Sequence, residues 1–102
     1  MIMKLWIDDV RYPPWYDYVW CKSVGQAKQV IRSNELRHET IEIIDIDHDA
    51  GDYAFDGGDY VKLLDWLEET GRSYPIRIHS MNPVGVANMR RIIQRNNWKE
   101  VR

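Results

Sequence analysis

The chain has 102 residues, 44% of them hydrophobic, with five tryptophans, one cysteine and a formal net charge of −2. That length makes one domain, residues 1–102, with a single thin core, and that composition excludes disorder. The near balance of charge excludes a global field toward nucleic acid or membrane, and the lone Cys21 excludes an internal disulfide and suits a reducing compartment.

"MKLWID" is a short apolar run that stops at Asp8 and Asp9, the pattern of a buried strand. "VRYPPWYD" is a loop, because adjacent prolines exclude helix and central strand. "YDYVWCK" is β-branched and aromatic and predicts a second strand. Ser23 followed by Gln26 is a capping-box signature for a helix whose apolar face is Val24, Ala27, Val30 and Ile31. "TIEIIDID" predicts a third, central strand. After it comes an acidic, glycine-bearing loop, 49–58, and then a second helix from Asp59, with Tyr60, Leu63, Leu64 and Leu67 inward and Gly71 at its end. "YPIRIHS" predicts a fourth strand. Asn82 and Pro83 then start a third helix with Val86, Met89, Ile92 and Ile93 on one face. The tail "WKEVR" is open to a last short strand or a frayed end. Nothing resembles a signal peptide or a membrane span, so a cytoplasmic location without membrane contact is expected.

Strands alternating with helices imply an α/β fold with a mostly parallel sheet of four or five strands. Ligands bind such sheets at the carboxyl ends of the strands. Asp8 and Asp9 end the first strand, Asp45, Asp47, His48 and Asp49 the third, and His79 and Ser80 the fourth. An isolated Asp-Asp pair is ordinarily a strand terminus. Joined to Asp47 at a common edge, Asp8 and Asp9 make a site for a hard cation, Mg2+ or Mn2+. Counted from Asp45, the acids Asp45, Asp47, Asp49 and Asp56 also fall at calcium-loop spacing, but Ala50 stands where that loop needs glycine. His48 and His79 are candidates for proton transfer beside the carboxylates. Ser80, the helix start at Asn82, and Arg11 are candidates for a phosphate, against the plainer readings of capping and an exposed charge. Trp15 and Tyr16 are lid candidates able to stack on a base, Trp20 is expected in the core, and Arg90 and Arg91 on a solvated helix face.

"LWIDDVR" and "IRIHS" resemble the receiver domain of response regulators. The combination "WIDDVRYPP", "DIDHDAG", "DGGDYVKLLDWL" and "IHSMNPVGVANM" more closely resembles the cyclic-phosphate-processing receiver domains of bacteria and phages, over nearly the whole chain. The resemblance implies a small receiver-like (flavodoxin-like) three-layer sandwich. It places the family positions on Asp8, Asp9, Arg11, Asp47, His48, Asp49, His79, Ser80, Asn82 and Gly85. Asp45 departs from the pattern, as an extra ligand or a surface acid. The receiver helix between strands one and two is absent, and the receiver lysine has no clear counterpart. The expected function is a metal-assisted phosphoesterase acting on a cyclic phosphate of a nucleotide or RNA end, in RNA repair or phage–bacteria conflict. Asp47, His48, Asp49 and His79 would be catalytic, Arg11, Ser80, Asn82 and Gly85 would bind phosphate, and Asp8, Asp9 and Asp47 would bind metal. The alternative is a non-catalytic module that binds a phosphorylated nucleotide or regulates a partner protein.

Overall fold

A computed structural model describes residues 2–102. The elements are β1 (Ile2–Ile7), β2 (Tyr18–Cys21), α1 (Val24–Leu36), β3 (Thr40–Ile46), a 3-10 turn (Gly51–Tyr53), α2 (Val61–Glu69), β4 (Ile76–Ile78) and α3 (Pro83–Arg95). The four strands are all parallel, in the order β2-β1-β3-β4. The chain leaves β1 toward one side for β2 and then crosses to β3 on the other. The strand order therefore reverses between β1 and β3, the place where a doubly wound sheet opens a crevice.

Local chemistry accounts for the element ends. Ser23 Oγ accepts the Gln26 amide (3.0 Å), which caps α1. Gln26 Oε1 in turn accepts the Lys22 amide, one residue earlier than a standard capping box. Asn82 caps α3 through Gly85, with Pro83 at the first helical position. Thr70 ends α2, and Gly71 follows in the left-handed region (φ +70). α2 starts two residues later than expected, because the Asp59 carboxylate accepts the Ala50 amide instead of capping the helix. The tail contributes an isolated parallel bridge, Glu100 beside Ile76, and Arg90 holds Glu100 at 2.8 Å. Arg90 is thus tied to the tail, whereas Arg91 is exposed as expected.

Strand alternation sorts the sheet into unlike faces. Leu5, Ile7, Cys21, Ile44, Ile46 and Ile76 join residues of all three helices in one buried cluster. The crossovers through α1 and α2 run the same way across the sheet, and right-handed connections then place both on one face. α2 in turn packs on α1 and on α3. Burying each large aliphatic side chain there contributes about 1.5–3 kcal/mol. The opposite parity, with Trp6 beside Trp20 and Asp45, and Asp45 beside Arg77, carries no helix among the described residues. The third layer of the expected sandwich is instead the 8–17 segment, fastened by two indoles. Trp6 Nε1 donates to the Arg11 carbonyl (2.8 Å) and Trp20 Nε1 to the Asp8 carbonyl (2.7 Å). Trp20 is therefore half-buried on this face and not in the core as expected, because β2 pairs with β1 in the register that points it away from the helices.

Candidate functional site

The sheet rows explain which polar residues meet. Trp6, Asp45 and Arg77 are paired neighbours, and Ile7, Ile46 and Ile78 form the next row. Asp47 N–H donates to the Ile7 carbonyl and His79 N–H to the Ile46 carbonyl, so the ladder continues past the strand ends. The following row is Asp8, Asp47 and His79, whose ligand-type atoms lie within 4.8 Å of one another.

Asp8 is fully buried. Its Oδ1 accepts the amides of Val10 (3.0 Å) and Arg11 (2.9 Å), and its Oδ2 faces His79 Nε2 at 2.9 Å. Burial alone would raise its pKa. The Arg11 and Val10 amides and the His79 ring outweigh burial and hold it below the ordinary aspartate value. The other ring nitrogen of His79, Nδ1, faces Asp45 Oδ1 at 2.7 Å. Carboxylates only accept, so both bonds exist together only when both nitrogens carry protons. Burial would lower the His79 pKa, but the hydrogen bonds to Asp45 and Asp8 and their charges prevail and raise it. The ring also stacks on Trp6, with centroids 3.9 Å apart and planes 1° from parallel.

Asp45 is thus neither a loop ligand nor a surface acid. It is fully buried and orients His79 from below. Its Oδ2 has no hydrogen-bond partner among the described residues, and Arg77 Nη1 lies 3.8 Å from it. The calcium-loop spacing assembles nothing, since Asp45 holds His79 while Asp56 accepts the Ser23 hydroxyl at the start of α1 (2.6 Å).

Asp47 is buried, and its Oδ1 accepts the amide of His48 (2.8 Å). Asp9 lies outside the close trio, with its carboxylate over Gly51, where a side chain would collide with it. Burial raises the Asp9 pKa, and so do the charges of Asp8, Asp47 and Asp52. Burial and the charges of Asp9, Asp8, Asp47 and Asp59 likewise push up the Tyr60 hydroxyl, which donates to the Lys22 carbonyl behind this cluster.

His48 stands differently. Its Nδ1 faces Asp49 Oδ1 at 2.9 Å, while Nε2 has no hydrogen-bond partner among the described residues. Asn82 Nδ2 is 3.5 Å from the same Nδ1, but Nδ1 cannot donate to Asp49 and accept from Asn82 at once, and the charged, shorter contact decides the tautomer. The ring lies against Gly85 of α3.

The expected phosphate ligands are near but largely engaged. Ser80 Oγ accepts the Asn82 amide (3.0 Å), and Asn82 Oδ1 accepts the Gly85 amide (3.1 Å). Pro83 has no N–H, so the start of α3 retains little donor capacity for an anion. Arg11 is half-exposed, with Nη1 3.4 Å from the His79 carbonyl. Beside Ser80 a groove of about 430 Å3 runs along Met81, Pro83, Val86, Ala87 and Arg90. The lid candidates Trp15 and Tyr16 are exposed and lie 5.6 Å apart, as is Tyr12, which packs on Trp20.

A family model described as a cyclic-phosphate processing receiver domain matches residues 3–95. The chain belongs to that family. Membership ties this receiver domain to cyclic-phosphate processing, and its parallel sheet with one helical layer is the small receiver-like α/β fold. No curated protein and no solved structure matches the chain. No helix among the described residues is long and apolar enough to cross a membrane. Trp6 is the site residue that sequence reasoning missed, and Asp45, weighed there as an extra ligand or a surface acid, has instead the unforeseen place against His79. The signal was their parity, each two residues before a strand-end aspartate and hence on the same face.

Proposed function

We propose that the domain hydrolyses a cyclic phosphodiester of a nucleotide or RNA end, with His48 as the proton carrier. The observation that carries this reading is the Asp49–His48 pair. One carboxylate accepts Nδ1–H, while Nε2 has no hydrogen-bond partner among the described residues and would be the nitrogen that moves the proton. In the reaction, Nε2 takes a proton from water as its oxygen bonds to phosphorus. The ring oxygen's bond to phosphorus breaks, and the proton returns to that leaving oxygen, giving a phosphomonoester. His79, expected to share this work, is unsuited to it because both of its nitrogens face buried carboxylates. Its role is to balance the charge of Asp8 and Asp45.

The clustered carboxylates fit a hard divalent cation. Asp9 is raised in pKa first by burial and then by the charges of Asp8, Asp47 and Asp52, and a bound Mg2+ or Mn2+ would offset that part of the shift that comes from the carboxylates. Asp47 and Asp9 would hold the ion, with Asp8, already accepting three hydrogen bonds, behind them. When bound, it would supply charge neutralisation at the phosphate oxygens. Arg11, whose Nη1 lies 3.4 Å from the His79 carbonyl, would approach the same phosphate from the 8–17 loop.

The test is product release from 2′,3′-cyclic and 3′,5′-cyclic nucleotides, with Mg2+ or Mn2+ supplied, by wild type and His48→Ala. Tight binding without product in wild type, and only weaker binding in the variant, would replace the enzyme by the second reading, a nucleotide-binding module. Exposed Tyr12, Trp15, Tyr16 and Phe55 on the loops after β1 and β3 favour that second reading, because such rings stack on bases.

A further inference from the structure

Gly85 sits in the first turn of α3, where the backbone is helical and suits any L residue. Glycine there costs helix stability relative to alanine, so its presence needs a reason other than backbone conformation. Phosphate access to its amide is a poor reason, because that N–H already donates to Asn82 Oδ1. The environment supplies another. A Cβ on Gly85 would overlap Cγ and Cδ2 of the His48 ring and come within 2.8 Å of its Nδ1. The backbone of His48 does not give way easily. Its N–H is held by Asp47 Oδ1 and its carbonyl by the Tyr60 amide. Only the ring is free to move, by rotating off the helix and away from Asp49.

We infer that Gly85 is a positioning residue, whose missing side chain forms the seat that presses the His48 ring into its bond with Asp49 and presents Nε2 to the site. The inference rests on the reading of His48 as the proton carrier, but its structural content is tested without turnover.

The experiment compares wild type, Gly85→Ala, His48→Ala and the double variant. With the ring removed, Gly85→Ala becomes an ordinary helix-favouring change, and the double variant should melt on the order of 4 °C above His48→Ala. With the ring present, the same change should bring no such gain. Long-range 15N spectra of labelled histidine should show His48 as the Nδ1–H form in wild type and as the mixture of a free imidazole in Gly85→Ala, with His79 unchanged. Turnover of a 2′,3′-cyclic nucleotide should fall about 10²-fold in kcat, with KM little changed. An equal rise in melting temperature in both backgrounds, with the His48 signals unaltered, overturns the seat. If Gly85→Ala alone fails to fold while the double variant folds, the seat is supported. If both fail, the collision is with something other than His48 and the inference is wrong. If wild type shows no turnover at all, the hydrolase reading falls, while the melts and spectra still decide the role of Gly85.

Discussion

Two histidines stand at the same sheet edge, yet their surroundings are opposite. His79 is gripped at both nitrogens by fully buried carboxylates and stacked on Trp6. His48 is held at one nitrogen by an exposed carboxylate and rests on a helix with no side chain beneath it. The first arrangement fixes charge inside the fold, and the second leaves Nε2 without a hydrogen-bond partner among the described residues. A histidine beside an aspartate is therefore not yet a proton carrier. What matters is how many of its nitrogens the fold has already engaged.

The largest expected effect separates the two directly. His48→Ala should lower turnover of a cyclic nucleotide by about 10²–10⁴-fold with urea unfolding nearly unchanged. If turnover survives while His79→Gln abolishes it, the assignment of roles is reversed. Next, His79→Ala leaves Asp8 and Asp45 buried without their shared cation, and should cost about 3–5 kcal/mol of stability in urea melts. A loss below about 1 kcal/mol would show that the grip contributes little.

The proposed metal would act on the open side of the comparison. Mg2+ at a hundred times its dissociation constant should stabilise wild type by about 2.7 kcal/mol, and Asp47→Ala by much less. A melting temperature indifferent to millimolar-scale Mg2+ and Mn2+ would remove the cation from the site.

Asp45→Asn sharpens the locked side. It should cost about 1–3 kcal/mol and bring the His79 pKa down toward its ordinary value, read by NMR titration. An unchanged titration would mean that Asp8 alone sets that pKa.

The smallest effect is the pH slope. His79 has a raised folded pKa, so its contribution is complete below its unfolded value, about 6.5, and is lost as pH climbs through the folded value. Asp8 has the opposite sign, and its contribution disappears only as pH falls through its lowered value. Wild type should thus lose melting temperature above neutrality more steeply than His79→Gln, and parallel curves would contradict the raised pKa.

Much of this was legible in the residues because it is local. Short apolar and β-branched runs marked the strands, Ser23 and Asn82 marked helix starts three residues ahead of the amides they accept, and strands ending in Asp8, Asp47 and His79 marked the polar edge. The remainder depended on which residues face each other across the sheet and on which face the helices cover. Strand periodicity looks the same from either side, so the chain alone did not tell that Trp20 turns from the core or that Asp45 sits under His79. Nor did Gly85 disclose that its missing Cβ serves a ring in another element, because a close approach between β3's loop and α3 exists only once the parallel strands have set them side by side. The strand ends and caps were written in short-range patterns. The engagement of each histidine nitrogen was decided by long-range packing, where burial makes an unpaired charge costly and leaves one arrangement standing.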